Sequence, residues 1–183
     1  MIVPDPRLHV TPAQFRSAAE AALTVQNELD ALNEMINRID AMQKQLADFE
    51  QASEGDKSLQ SKYAPVLQRA KKLEGKLKSL KNSVYTPKVQ HNVVEDSLHA
   101  LQGFHEDLSG LAGTLDYLYP GQASMSMFAS SMSQMRSELN QHLKDFNDFL
   151  KNQVAAYNKA AYGAGAPTLL AGNPIAVKSS GSL

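Results

Sequence analysis

The chain has no cysteine and no tryptophan, only 7% aromatic residues and a formal net charge of −1 across 183 residues. Without cysteine there can be no disulfide scaffold, thiolate metal site or cysteine nucleophile. A balance of 18 Lys and Arg against 19 Asp and Glu argues against a nucleic-acid binder that relies on bulk positive charge. No apolar run approaches the ~18–20 residues that a membrane span needs. The opening MIVPDPRLHV lacks the apolar centre of a signal peptide. What the chain does have is 43% hydrophobic residues, enough to build a core, so wholesale disorder is not expected.

Four stretches carry helical periodicity and none shows sustained strand alternation. The first opens at Thr11, an N-cap, with Pro12 at the first helical position, where its missing N–H costs nothing. Its apolar residues recur every three or four positions, from Phe15, Ala18 and Ala22 through Val25, Leu29, Leu32, Ile36 and Ile39 to Met42, Leu46 and Phe49, and Gly55 ends it. At roughly 1.5 Å per residue this helix is about 65 Å long. Asp56–Ala64 reads as a connector, with a second helix from Ala64 carrying Val66, Ala70, Leu73, Leu77 and Leu80; any turn before Pro65 should be kinked. Asn82–His91 reads as an extended loop broken by Pro87. The third helix begins at Asn92, with Glu95 in a capping-box position, and its stripe runs from Val94 through Leu98, Leu101, Phe104, Leu108, Leu111 and Leu115 to Leu118. Gly103, Gly110 and Gly113 inside it signal either close helix contact or local weakness. The fourth helix spans about Ser124 to Tyr162, with Phe128, Met132, Met135, Leu139, Leu143, Phe146, Leu150, Val154 and Tyr157 on one face and Gly163 as its C-cap.

Short connections between amphipathic helices favour antiparallel neighbours. The expected fold is therefore all-α: an up-down-up-down four-helix bundle over 11–162 with long first and last helices, an extended linker at 1–10 and a flexible tail at 163–183. The tail is rich in Gly, Ala, Pro and Ser, but its short apolar pieces could dock on the bundle. In this arrangement the Ala-rich start of the first helix (Ala13–Ala22) lies beside the Ala-rich end of the fourth (Ala155–Ala161). Leu29, Leu32, Ile36, Ile39, Leu73, Leu77, Leu101, Leu108, Leu139 and Phe146 are expected in the core.

Charge is unevenly distributed. Residues 11–55 carry three basic and eight acidic side chains, residues 56–88 nine basic and two acidic, and residues 92–119 five acidic and no basic. Arg69, Lys71, Lys72, Lys76, Lys78 and Lys81 form the centre of the basic block. A basic helix between two acidic ones is expected to complement both. No aromatic residue is interleaved among these lysines for base stacking, so no nucleic-acid partner is assigned.

The chemistry-bearing motifs are few. A carboxylate-bridged di-iron site needs Glu/Asp-x-x-His on two helices plus further inward carboxylates. Asp96-x-x-His99 meets that spacing once, and Glu138-x-x-x-His142 is a poorer match. His91, Glu95 and His99 fall at i, i+4 and i+8, on one face if the helix extends back that far, and could hold a metal weakly. There is no HExxH, no GxSxG elbow and no glycine loop of the phosphate-cradling kind. The serines at 124–133 suit capping better than nucleophilic attack, and Met125, Met127, Met132 and Met135 suit adaptable core filling. No catalytic residue, cofactor site or firm metal site is assigned, and the region is not expected to be an enzyme.

Two stretches carry a family resemblance. PDPRLHVTPAQF leads into LDALNEMINRIDAMQKQL at residues 29–46, and TPKVQHNVVEDSLHALQGF follows at 86–104. In this order they resemble the C-terminal helical region of large bacterial secreted proteins with sortilin/VPS10-like BNR-repeat β-propellers, often called glycosyl hydrolases. The resemblance covers about residues 3–160 and implies that Val3–Arg7 links to a preceding Ig-like sandwich. It also implies a secreted, periplasmic or cell-surface location and partners that are neighbouring domains or another protein. The propeller repeats, where any glycosidase chemistry would lie, are not in these residues. The resemblance thus implies a non-catalytic accessory domain, a spacer or interaction module. The competing readings are a stand-alone coiled-coil adaptor that oligomerises and a metal-binding bundle.

Overall fold

The computed structural model describes residues 11–85, 103–117 and 126–179, and among these every regular element is helical. Helix α1 runs from Pro12 to Glu54, 43 residues. Thr11 caps it in a reciprocal box: the Gln14 amide donates to Thr11 Oγ1 at 3.3 Å, and the Thr11 amide donates to Gln14 Oε1 at 2.8 Å. The apolar stripe is buried from Val25 onward, through Leu32, Met35, Ile39, Met42 and Leu46 to Phe49. Before Val25 burial falls away: Ala22 is partly buried against the core, and Phe15 is 39% exposed.

Helix α2 spans Lys57–Val84 and so starts seven residues before the expected Ala64. Asp56 supplies the reason: it accepts from the Ser58 amide at 2.7 Å and the Ser58 hydroxyl at 2.6 Å, a complete N-cap. Pro65 is accommodated inside the helix. Both Pro65 and Ser61, whose carbonyl it leaves without a donor, are exposed, so water can serve that carbonyl. The helix also takes in Asn82–Val84, expected as loop, and closes with the Tyr85 amide on the Lys81 carbonyl at 2.9 Å.

Helix α3 covers Phe104–Tyr117. Its expected start at Asn92 lies outside the described residues. Gly103 accepts from the amides of Glu106 and Asp107 at 3.0 and 3.2 Å, and those two acids sit favourably at the positive end of the helix dipole. A Cβ on Gly110 or Gly113 would meet nothing within 4 Å, so close helix contact is not why those glycines are there. Gly110→Ala is therefore expected to stabilise the chain by about 0.4–1 kcal/mol, read as a rise in the urea midpoint. A fall would show that the position is crowded.

Helix α4 (Ser126–Phe149) passes through a π turn (Leu150–Val154) into α5 (Ala155–Ala164) without a break. Inward positions Leu139, Leu143 and Phe146 are followed by Leu150 and Val154, and the two consecutive steps of four from Phe146 to Val154 would drift off a 3.6-residue face. The wider turn absorbs the drift, so Tyr157 and Ala161 are still buried. The C-cap is Gly165 rather than Gly163. Gly165 takes the left-handed conformation (φ 68°), and the amides of Ala166 and Gly165 donate to the carbonyls of Ala161 and Tyr162 at 2.9 and 3.1 Å. This is a Schellman closure.

Cross-contacts fix the directions. α2 lies antiparallel to α1, with the Tyr63 ring tilted against Phe49 at 5.7 Å and Lys81 paired to Asp40 at 2.6 Å. α3 packs chiefly on α1 and begins beside Asn33, with Tyr85 edge-on to His105. α4 runs parallel to α1: Ser17 and Ala21 share a groove with Ala129 and Met132, Glu28 pairs with Arg136, and Phe49 and Ala52 lie beside Tyr157. The up-down-up-down order is therefore met only in part, because it would make the first and last helices antiparallel. The two Ala-rich segments expected side by side lie at opposite ends. Segment 86–102, between α2 and α3, is far longer than the ~2–8-residue connections that enforce reversal.

The core is one cluster shared by all five helices. Of the expected core residues, Leu32, Ile36, Ile39, Leu73, Leu77, Leu108, Leu139 and Phe146 are buried, Leu29 is partly buried, and Leu101 lies outside the described residues. The segment after Gly165, expected as a flexible tail, instead lies against the helices through Ser179, with Ala166, Leu169 and Ile175 buried. Leu169 packs beside Phe49 and Tyr157, and Ile175 beside Leu143 and Asn147, whereas Leu170 is exposed.

Candidate functional site

The weak metal candidates His91, Glu95, Asp96 and His99 all lie outside the described residues. Glu138 and His142 do come together, His142 Nε2 standing 3.7 Å from Glu138 Oε1. The imidazole is packed against the Phe104 ring at 5.3 Å, and its Nε2 is buried without a hydrogen-bond partner. Among the described residues no group of three His, Asp or Glu side chains is arranged to hold a metal ion. A second histidine, which the motif reading passed over, sits where α1, α2 and α3 meet: His105 Nε2 is 2.9 Å from Asn33 Oδ1, and its ring meets Tyr85 edge-on. The Tyr157 phenol is held above the usual tyrosine pKa, first by burial and then by the nearby Glu50 carboxylate.

The one buried acid in the molecule's described part is Glu28, 1% exposed. Its Oε1 accepts from Arg136 Nε at 2.6 Å, while Oε2 is buried without a partner. Position 28 stands on the Val25–Leu32 stripe, and that spacing was the available signal that this acid faces inward.

The basic block divides. Lys81 bonds across to Asp40 at 2.6 Å. Arg69, Lys71, Lys72, Lys76 and Lys78 are exposed, and among the described residues none of the five has a carboxylate within ion-pair reach. They flank the exposed side of α2, because Val66, Ala70, Leu73 and Leu77 take the opposite side inward. The expectation that α2 complements both acidic neighbours is thus met by a single pair. Between α1 and α2 an open groove of about 430 Å³ is lined by Glu50, Ser53, Glu54, Gln60, Gln68 and Lys71.

The densest set of polar contacts binds the C-terminal segment. Asn158 takes both main-chain groups of Leu169: its Nδ2 donates to the carbonyl at 3.0 Å and its Oδ1 accepts from the amide at 2.7 Å. Asn147 does the same to Ile175, at 2.8 and 2.9 Å. Gln45 on α1 does so to Leu170, at 3.3 and 2.9 Å. Arg38 donates to the Asn173 carbonyl and also pairs with Glu34. Tyr63 Oη donates to the Gly165 carbonyl at 2.9 Å. Three carboxamides thereby hold an extended chain by its backbone, while Leu169 and Ile175 carry the apolar burial. The Gly and Pro content of this segment hides the arrangement from a composition reading, and Gln45, Asn147 and Asn158 carry no local motif of their own.

Compared with protein-family models, curated proteins and solved structures, the chain finds no match. No helix among the described residues is long and apolar enough to cross a membrane.

Proposed function

We propose that these residues form a non-catalytic helical accessory domain, a rigid spacer and protein-interaction module at the C-terminus of a secreted propeller protein of the sortilin/VPS10-like BNR type. The observation that carries the spacer role is α1. One helix of 43 residues, about 65 Å by its rise, is backed on its buried side by α2, α3 and α4, and α4–α5 runs parallel to it without interruption. Side-chain packing of this kind resists bending, because a bend must break contacts on two neighbouring helices at once. The motifs at 29–46 and 86–104 support the family and the secreted location. The exposed basic side of α2 suits an acidic surface on a neighbouring domain or on another protein, with Arg69, Lys71, Lys72, Lys76 and Lys78 free to engage it.

Small-angle scattering of the chain tests the spacer. A maximum dimension of at least about 65 Å, unchanged between low and high salt, is the expected result. A radius of gyration near the ~16 Å of a compact globule of this length would remove the rod and with it the spacer role. A mass of twice the 20.0 kDa monomer by light scattering would shift the reading to the oligomeric coiled-coil adaptor.

A further inference from the structure

We propose that the exposed face of α2 is the docking site for one acidic α-helix of a neighbouring domain or another protein, with carboxylates along both of its flanks at seven-residue spacing. This partner rests on the interaction role given to the basic side of α2 and stands apart from the rod, which scattering decides.

The face has a heptad order. With the buried Ala70 and Leu77 at position f, the positions a, d, e and g from Gln68 to Asn82 are all exposed. Arg69 and Lys76 fall at e, Lys71 and Lys78 at g, and Lys72 at a. In paired helices e and g are the positions that choose the partner by charge. The two cations of each row are seven residues apart, about 10.5 Å along the axis. A partner helix has the same rise, so carboxylates seven residues apart meet both cations of a row at once. An extended chain, at about 3.3 Å per residue, falls out of step with that spacing.

Among the described residues no carboxylate stands within ion-pair reach of these five cations. Glu74, the only acid in α2, is half-buried at position c, and Glu50 and Glu54 face Lys71 across the open groove. Lys81 shows what α2 does where an acidic helix lies beside it, pairing with Asp40 of α1 at 2.6 Å. Gly75 is an independent sign. It stands at d, in the middle of the exposed seam, where glycine weakens a helix, and a Cβ there would meet nothing within 4 Å. Packing within the chain gives no reason for it, whereas a helix laid along the seam does, because a missing side chain lets two backbones approach.

The occupant is not a second α2, since like cations at e and g repel. From Gln68 to Asn82 none of the a, d, e and g positions carries an apolar side chain to enter a bilayer or an aromatic ring on which bases stack. A polar seam makes the contact electrostatic and sensitive to salt.

The test uses the full chain and a fluorescent peptide of about 28 residues, four heptads with alanine at a and d and glutamate at e and g. Saturable binding by anisotropy is expected, weakening at least about fivefold between about 0.02 and 0.15 M salt. An isomer whose glutamates are reordered to spiral round the helix should bind at least about fivefold more weakly. Lys71→Glu with Lys78→Glu should weaken the first peptide about tenfold or more, and lysine in place of glutamate along one flank of the peptide should restore it. Gly75→Gln, at unchanged charge, should weaken it about threefold or more. Lys151→Glu with Lys159→Glu, exposed on the π turn and α5, should leave it within about twofold. Absence of saturable binding at low salt, or an equal loss from the Lys151 and Lys159 reversals, overturns the site. Equal binding of the two isomers makes it a general polyanion surface and overturns the helical partner, and unchanged affinity in Gly75→Gln overturns the seating along the seam. If the Glu variant loses its helical circular dichroism, Lys71→Gln with Lys78→Gln replaces it; about threefold weakening is then expected, and none overturns the site.

Discussion

Phe146→Ala is expected to destabilise the chain by about 3–5 kcal/mol, the range for emptying a buried aromatic site. Phe146 is 0% exposed and is the largest of the fully buried side chains. It lies on the inward face of α4 one turn before the π turn. Helices that must hold parallel alignment over many turns cannot easily collapse into the cavity, so the loss should sit at the upper end. Urea denaturation followed by circular dichroism reads it as a lower midpoint at an unchanged slope. A midpoint within error of the wild type would mean that the α4 stripe has been placed on the wrong face.

The second large effect is expected at the Glu28–Arg136 pair and has opposite outcomes for its two halves. Arg136→Ala removes the only partner, among the described residues, of a carboxylate that is 1% exposed and already has an unpartnered Oε2. Leaving such a charge uncompensated should cost about 3 kcal/mol. The lower part of the usual range applies because Arg136 is half exposed and its loss opens a route for water. Adding Glu28→Leu to that variant should recover the stability to within about 1 kcal/mol of wild type, since an apolar side chain suits the Val25–Leu32 stripe. A double-mutant cycle by urea melts checks both. If Arg136→Ala alone is silent, the pair contributes nothing and Glu28 is solvated in solution.

Much of the fold could be read from local chemistry. Thr11, Pro12 and Gln14 mark the start of α1 because capping satisfies orphan amides within one turn, and no distant residue is needed. The stripes of α1 and α4 were legible for the same reason, each being set by a 3.6-residue repeat. The errors arose where a local rule met a competing one. Pro65 argued for a helix start, but Asp56 caps the helix nine residues before it and the cost of the proline falls on an exposed carbonyl. Gly163 and Gly165 compete for one C-cap, and only the conformation of Gly165 decides it. Of the candidate site little was legible: Gln45 stands more than a hundred residues before Asn147 and Asn158 along the chain, and the three acquire a common purpose only when α1 and α4–α5 lie parallel.

Residue spacing and caps are short-range properties, so composition and order alone settled that the described chain is helical, where its first helix begins and which stripes are apolar. The relative direction of α1 and α4, the burial of Glu28 against Arg136 and the docking of segment 166–179 depend on which faces meet. That choice is made by long-range packing among several comparable amphipathic surfaces, and no local pattern encodes it. Only the tertiary structure brings the three carboxamides to one extended chain.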